Sequence, residues 1–332
     1  MREERPARGD RPRRPDAGAA AGGRAVRAGH GAARGRLSLD ALNGAGDQPG
    51  VDRRPTWRYR SSACLVPTVP CGTPRHRRRS VKIRPNRVKQ TLAAGKVATI
   101  LAGTNDPDLI DQLGPLGADG IWLEGEHGGV DYADLGNLTR ACDLWGVTSV
   151  VRVMDNDYAT IYRTLDRGAQ AIVVPHVNTR AEAEAVVEAG KFAPLGKRGM
   201  FTSRQGFGVD DYFKTANDQS MLMVLIEDIA AVHRLDEIIK VDHIDVFFVA
   251  PSDLATSMGH IGNVAHPEVQ KTIDAALTKI VQAGRVAGTL VNASNVERYT
   301  KMGVRVAMAP FFPFIQAGAK DLMERAAAGA KG

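Results

Sequence analysis

The chain has 332 residues, with 44 Lys and Arg against 37 Asp and Glu, for a formal net charge of +7. Residues 1–80 hold 18 Arg, no Lys and seven acids, and therefore carry +11, which leaves −4 on residues 81–332, so the overall basicity describes the leading segment and not the core. No apolar run approaches the roughly 20 residues a membrane span needs, and three cysteines, two of them (Cys64 and Cys71) in the leading segment, exclude a disulfide framework or a cysteine-based metal site.

Residues 1–80 are rich in Arg, Gly, Ala and Pro and show no sustained apolar period, so they are expected to be disordered. Their arginines are scattered, with aromatics only at Trp57 and Tyr59, and nucleic acid is not the expected partner. Glu3, Glu4 and Asp10 argue against a transit peptide. Eighteen Arg without a Lys, against 12 Lys in the core, reads as a non-native leader translated from too early a start. The folded part is expected to be soluble and cytoplasmic.

From residue 81 the chain alternates strand and helix signals. A leading helix near Pro85–Ala94 precedes strand candidates at Val97–Leu101, Gly120–Leu123, Ser149–Val153, Ala171–Val177, Met221–Ile226, Val246–Ala250, Ala287–Val291 and Val304–Ala309. Amphipathic stretches lie between them at Asp131–Leu144, Tyr158–Asp166, Arg180–Ala189, Val232–Ile239, Pro267–Ala283 and Asn295–Met302, with a last helix at Phe314–Ala328. Asn156-Asp157, Asn178-Thr179 and His266-Pro267 give helix starts, and Gly168, Gly284 and Gly303 give stops. Eight such units in about 250 residues predict a (β/α)8 barrel, an α/β fold, over residues 81–332. A doubly wound open sheet is the runner-up, disfavoured because no G-x-G-x-x-G follows the first strand. One connection is long, Gly196–Ser220, and a loop of that length reads as functional. Cys142, alone in the core, reads as a small hydrophobe.

A barrel of this kind gathers its chemistry at the C-terminal ends of its strands. Four such ends carry reactive groups: His127 after Gly120–Leu123, Arg152 at the end of Ser149–Val153, Glu227 after Met221–Ile226, and Asp253 after Val246–Ala250. Two carboxylates leave coordination positions open and suit a hard cation, Mg²⁺ or Mn²⁺ with Co²⁺ as a further option, rather than a closed zinc site. Glu126, Asp228, His233, His260 and His266 are assigned to structure or surface, while His176 is open between substrate contact and packing.

Seven stretches in order resemble the HpcH/HpaI class II aldolases of the phosphoenolpyruvate/pyruvate-binding barrels. They are Glu124-Gly-Glu-His-Gly128, Val151-Arg152, Gly168–Pro175, Gly196-Lys-Arg-Gly199, Ile226-Glu227, Phe248–Leu254, and Gly262-Asn263 with His266-Pro-Glu-Val269. The resemblance implies a hexameric or otherwise oligomeric barrel. It also implies a divalent metal on Glu227 and Asp253 that chelates a pyruvate-like 2-oxo acid, and cleavage of 4-hydroxy-2-oxo acids to pyruvate and an aldehyde, or the reverse addition. Arg152 would donate to the enolate oxygen. His127 would move the proton of the C4 hydroxyl, with Glu124 orienting its imidazole, because histidine ordinarily titrates near neutral pH. Backbone N–H groups at Ala250 and Ser252 would receive the substrate carboxylate.

The sequence departs from the family at Leu225, where many members carry a substrate-holding Gln; Arg198 and Gln170 are the candidates to compensate. The Gly196–Ser220 loop, with Phe201, Phe207, Tyr212 and Phe213, the side chains around Gly128–Asp131 and a neighbouring subunit are the candidates to select the aldehyde, expected to be small or moderately apolar, and the same aromatics could instead pack a subunit interface. Two alternatives share the barrel: a citrate-lyase-like enzyme acting on an acyl-CoA thioester, and a non-catalytic protein that binds a metal and a 2-oxo acid. A Schiff-base aldolase is disfavoured because no strand ends in Lys.

Overall fold

The computed structural model describes residues 81–330, so the readings of residues 1–80, Cys64 and Cys71 included, lie outside it. In chain order its elements are α1 (Arg87–Ala93), β1 (Ala98–Ala102), α2 (Pro107–Leu113), β2 (Gly120–Glu124), α3 (Tyr132–Trp145), β3 (Thr148–Arg152), α4 (Tyr158–Asp166) and β4 (Ala171–Val174). There follow α5 (Arg180–Gly190), α6 (Tyr212–Gln219), β5 (Met221–Ile226), α7 (Ile229–His233), α8 (Leu235–Ile238), β6 (Val246–Val249) and α9 (Pro251–Ser257). The chain ends with α10 (Pro267–Gln282), β7 (Ala287–Leu290), α11 (Val296–Lys301), β8 (Val306–Pro310) and α12 (Phe312–Gly329). Each strand pairs in parallel with the next and β8 returns to β1, closing an eight-stranded barrel and excluding the open sheet.

Side chains alternate across a strand, so each strand serves two cores. Along β5, Met221, Met223 and Leu225 point into the barrel with Trp122, Val150, Val173, Phe248 and Met308. Leu222, Val224 and Ile226 point outward, against the helices, with Ile121, Val151, Ile172, Phe247 and Val249. Both sets are apolar, which is why the strands read as continuous apolar runs. Helix starts follow the caps in the sequence: Asp131 and Thr179 form reciprocal capping boxes for α3 and α5, and Asp157 accepts from Thr160 N–H. Gly168, Gly284 and Gly303 take φ of 106°, 71° and 98° just past helix ends, where a Cβ would be strained. Cys142 is buried, and burial with the nearby Asp143 charge pushes its thiol up to about 12, so it packs as a hydrophobe.

The structure adds to the expected helices and corrects one. α2 and α6 were not expected, and the stretch Val232–Ile239 divides into α7 and α8 at Arg234. The connection Gly196–Ser220 is not a free loop: it contains α6, whose Tyr212 and Ala216 pack with Phe192. It also runs from a helix to a strand, and such a connection lies at the N-terminal face of the barrel, opposite the face where catalytic groups gather.

At that N-terminal face α1 closes the barrel. Val88 joins the interior cluster, and its N–H donates to Thr148 Oγ1 at 3.1 Å. Asn86, fully buried, caps α1 through Lys89 N–H and donates to the Gln170 and Gln219 carbonyls, each at 3.1 Å. α12 differs from the other long helices in having no buried residue; Phe312, Phe314, Ile315, Leu322 and Met323 are exposed on it. Among the described residues no helix is long and apolar enough to cross a membrane.

Replacing Asn86 by Ala removes a helix cap worth about 1 kcal/mol and two buried hydrogen bonds of similar size. Asn86→Ala is therefore expected to lower the unfolding free energy by about 2–3 kcal/mol in a urea titration, and a loss below about 0.5 kcal/mol would show that the α1 plug does not hold the barrel closed.

Candidate functional site

The inward parity of each strand continues one step past its last packed residue and sets the chemistry of the mouth. Trp122 faces inward on β2, so Glu124 does; Val150 faces inward on β3, so Arg152 does; Met223 and Leu225 face inward on β5, so Glu227 does. In the β2–β3 register Glu124 stands directly beside Arg152. The mouth is a cavity of about 400 Å³ lined by Trp122, Glu124, His127, Arg152, Leu225, Phe248, Ala250, Ser252 and Asp253, with Ala102, Leu290, Met308 and Pro310 completing an apolar wall.

Arg152 is held from two sides. Its Nε donates to Glu124 Oε1 and Oε2 at 3.0 and 2.9 Å, and its Nη1 lies 2.8 Å from Glu126 Oε2. Glu124 also accepts from Trp122 Nε1 at 3.1 Å and from the backbone N–H groups of Glu126 and His127 at 2.9 and 3.1 Å. Burial works against ionisation of Glu124, but the Arg152 bonds and the His127 N–H outweigh it and hold the carboxyl below its ordinary value. This corrects the expected role of Glu124. Its carboxylate fixes the arginine and the backbone of the turn, and its partner at residue 127 is the main-chain N–H rather than the imidazole, which stands exposed on the cavity wall.

Glu227 is 1% exposed, and its two oxygens differ. Oε1 accepts the backbone N–H of His176 at 2.7 Å, while Oε2 is buried and has no hydrogen-bond partner among the described residues. His176 takes a left-handed backbone, φ 53°, that is uncommon for a residue with a side chain. Its Nδ1 stands 3.0 Å from Asp228 Oδ2, which also accepts from Asn178 Nδ2 at 2.9 Å, and its Nε2 is 3.6 Å from Glu126 Oε1. The hydrogen bond to Asp228 holds His176 above its ordinary pKa against the opposing effect of burial. Burial pushes the Glu227 carboxyl up to about 7; the His176 contacts oppose this, and the charges of Asp253 and Glu126 add to it. A buried carboxylate with one unpaired oxygen, acted on by the charge of a second acid, has the chemistry of a cation ligand. The donors are all oxygen, which fits Mg²⁺ or Mn²⁺.

Three expected substrate contacts need correction. Gln170 precedes β4, at its N-terminal end, and its Nε2 donates to the Arg84 and Pro85 carbonyls, each at 3.3 Å. Arg198 pairs with Asp166 at 2.7 Å and stacks over Phe192; with Gln170 it lines a small cleft beside Arg84, Leu165 and Ser220. Both residues lie at the opposite end of the barrel and cannot compensate for Leu225. Ala250 N–H is already committed to the Ile226 carbonyl at 3.2 Å, so Ala250 offers the cavity its methyl group, and the uncommitted position in the first turn of α9 is Ser252. The sequence assigned Glu126 and Asp228 to structure or surface and left His176 open between substrate contact and packing. The signal available for Glu126 was its place one residue before His127 in the same turn; nothing in the sequence marks the left-handed backbone of His176.

Three comparisons bear on this geometry. The model of the HpcH/HpaI aldolase/citrate lyase family matches residues 99–309. A hydroxypyruvate/pyruvate aldolase of Pseudomonas aeruginosa is 35% identical over 224 residues, 66% of this chain and 84% of that protein. A 5-keto-4-deoxy-D-glucarate aldolase of Shigella boydii is 35% identical over 231 residues, 68% of this chain and 89% of that protein. The crystal structure of an HpcH/HpaI aldolase/citrate lyase family protein from Burkholderia cenocepacia superimposes with a TM-score of 0.68 at 26% identity, covering 73% of this chain and 99% of that one.

The raised pKa of Glu227 has a stability consequence in the metal-free protein. Unfolded, the carboxyl titrates near 4.5; folded, at about 7. The fold therefore loses stability as pH rises through that window and carries the whole penalty above about 7. Glu227→Gln keeps an acceptor for His176 N–H and removes the charge, so it is expected to stabilise the metal-free protein by about 1–3 kcal/mol at pH 8 and by little at pH 4.5. Thermal melts at the two pH values check this, and a destabilised variant at pH 8 would show that the carboxylate is content without a cation.

Proposed function

The chain belongs to the HpcH/HpaI aldolase/citrate lyase family, and from that premise we propose that the barrel mouth cleaves a 4-hydroxy-2-oxo acid to pyruvate, or a close 2-oxo acid such as hydroxypyruvate, and an aldehyde, and runs the reverse addition. The observation that carries this is the pairing of a buried Glu227, its Oε2 free beside Asp253, with an Arg152 clamped by Glu124 and Glu126 on the wall of the same mouth. The relatives named above support the same reaction class.

Glu227 and Asp253 are the residues that would hold a divalent metal, Mg²⁺ or Mn²⁺ by their oxygen donors. When bound, that metal supplies a Lewis acid for the 2-oxo group of the substrate. Arg152, its Nε and Nη1 tied to glutamates, presents Nη2 to the oxygen on which negative charge develops as the C3–C4 bond breaks. The two glutamates keep its fork fixed, so little reorganisation accompanies the charge. His127, on the cavity wall, is the group for the C4 hydroxyl proton, directly or through a water; as that proton leaves, C4 becomes the aldehyde carbon and the electron pair passes to the enolate. Ser252, in the first turn of α9, offers its N–H and hydroxyl to the substrate carboxylate. Leu225 gives the cavity no polar donor, and Arg152 is the one Lys or Arg side chain among the residues lining it. With Trp122, Phe248, Leu290 and Met308 around it, the wall favours a small or moderately apolar aldehyde over an anionic one. Aldehyde selection moves accordingly from the Gly196–Ser220 connection, at the far face, to this wall and the Gly128–Asp131 turn.

α12 supports the expectation of a homo-oligomer. Its apolar residues find no core in their own barrel, and a cavity of about 410 Å³ at its base is lined by Leu101, Leu109, Leu113, Leu116, Phe311 and Phe314. A second copy offering the same helix and the same cavity gives a self-complementary pair. A chain starting near residue 81 is expected to be fully active.

Metal-dependent pyruvate release from a panel of 4-hydroxy-2-oxo acids tests the reading. Activity is expected with Mg²⁺ or Mn²⁺, lost with EDTA and in Glu227→Ala and Asp253→Ala, and lowered about 10²–10³-fold in kcat by Arg152→Lys. Turnover of acyl-CoA thioesters alone would transfer the assignment to the lyase branch, and a preference confined to dicarboxylic or sugar-acid substrates would remove the apolar-aldehyde assignment. Light scattering after size exclusion is expected to give a multiple of the chain mass, which Leu322→Glu with Met323→Glu reduces; a monomeric parent protein would sink the α12 docking.

A further inference from the structure

The connection after α9 folds back on itself before α10 begins. Gly259 and Gly262 take φ of 82° and 73°, and the turns they make are tied by His260 N–H to the Ala255 carbonyl at 2.8 Å, Asn263 N–H to the His260 carbonyl at 2.9 Å, and His266 N–H to the Asn263 carbonyl at 3.1 Å. Gln270 Nε2, from the first turns of α10, reaches the Val264 carbonyl at 3.0 Å. This folding lays His260 against His266, the cap of α10: the two rings stack with centroids 3.7 Å apart and planes 18° from parallel. Glu268 stands beside them, its Oε2 3.4 Å from His260 Nε2. One ligand atom from each of the three residues lies within 4.8 Å of the other two.

We propose that His260, His266 and Glu268 form a second divalent-metal site, for Zn²⁺ or a similar borderline transition metal. Two imidazoles and a carboxylate are a donor set for such metals, which the all-oxygen pair at the mouth is not. With metal–ligand bonds of about 2.0–2.1 Å, tetrahedral ligands stand about 3.3 Å apart, so His260 and Glu268 already span one edge, and His266, its ligand atom within 4.8 Å of both, closes the site by turning its ring out of the stack. That rotation gives up the long 3.3 Å bond from Glu268 N–H to His266 Nδ1. Water completes the fourth position, because the site faces outward: the Glu268 side chain is 68% exposed. The metal would tie the start of α10 to the end of α9, the helix that carries Asp253, and stabilise the fold by mass action.

The test uses the full chain bearing Glu227→Ala and Asp253→Ala, so that the mouth contributes no metal site, with Zn²⁺ itself as the probe in titration calorimetry and thermal melts. Zn²⁺ uptake and a raised Tm are expected, with one equivalent lost when His260→Ala is added and affinity weakened at least tenfold by Glu268→Gln. A tenfold excess of Mg²⁺ is expected not to displace the bound Zn²⁺. Zn²⁺ stoichiometry and affinity unchanged by either substitution would overturn the site and leave the three residues as a packing contact. Glu268→Gln, at an exposed position, decides the matter if His260→Ala does not fold.

Discussion

The mouth depends on one constraint, the strict alternation of side chains along parallel strands in a closed barrel. Every inward position below the rim must fill the barrel with apolar volume, as Met221, Met223, Val150, Phe248 and Trp122 do. The next inward position on the same strand is then committed to the mouth, and it is there that Glu124, Arg152 and Glu227 stand. The packing that stabilises the barrel and the placement of its polar groups are thus one pattern read at two heights.

The electrostatics of that rim are unbalanced. Glu124, Glu126, Glu227, Asp228 and Asp253 meet one guanidinium, Arg152, and one imidazole with a raised pKa, His176. Arg152 satisfies Glu124 and Glu126, and His176 with Asn178 satisfies Asp228. What remains over is Glu227 Oε2, buried, with Asp253 adding to its burden. A protein that keeps such a group accepts a cost in its metal-free state, and a bound cation reverses that cost. The left-handed His176 fits the same account, since its strained backbone aims an N–H at one oxygen of Glu227 and leaves the other free.

Much of this was legible in the chain. Met221–Ile226 is a strand with the bounds its apolar run suggested, and the start signals at Asp157, Thr179 and His266 cap the helices they announce. The βα beat predicted closure, and strand ends predicted His127, Arg152, Glu227 and Asp253 at one end, with Glu124 added by the family resemblance. What failed was reasoning by residue type without regard to which end of a strand a residue occupies. Gln170 and Arg198 have suitable donors, but one precedes its strand and the other sits on a helix-to-strand connection, so both face the α1 plug. The same oversight assigned aldehyde selection to Gly196–Ser220, and α6 within it escaped notice because Gly206 and Gly208 interrupt the pattern just before it.

The sequence by itself determined the barrel and the residues at the strand ends, because periodicity and caps are local and each strand carries its own two-residue alternation, and its ordered motifs carried the resemblance to the family. Only the tertiary structure decided which partners those residues have. That Glu124 holds Arg152 and a turn rather than the His127 ring, that Glu126 and His176 join the mouth, and that Ala250 N–H is spent on Ile226 depend on contacts between β2, β3, β4, β5 and β6. The same holds for His260 and His266, which the chain presents six positions apart and two left-handed glycines bring ring to ring. Such contacts join residues from separate segments of the chain, and their geometry is set by strand register and backbone turns that no single stretch of sequence encodes.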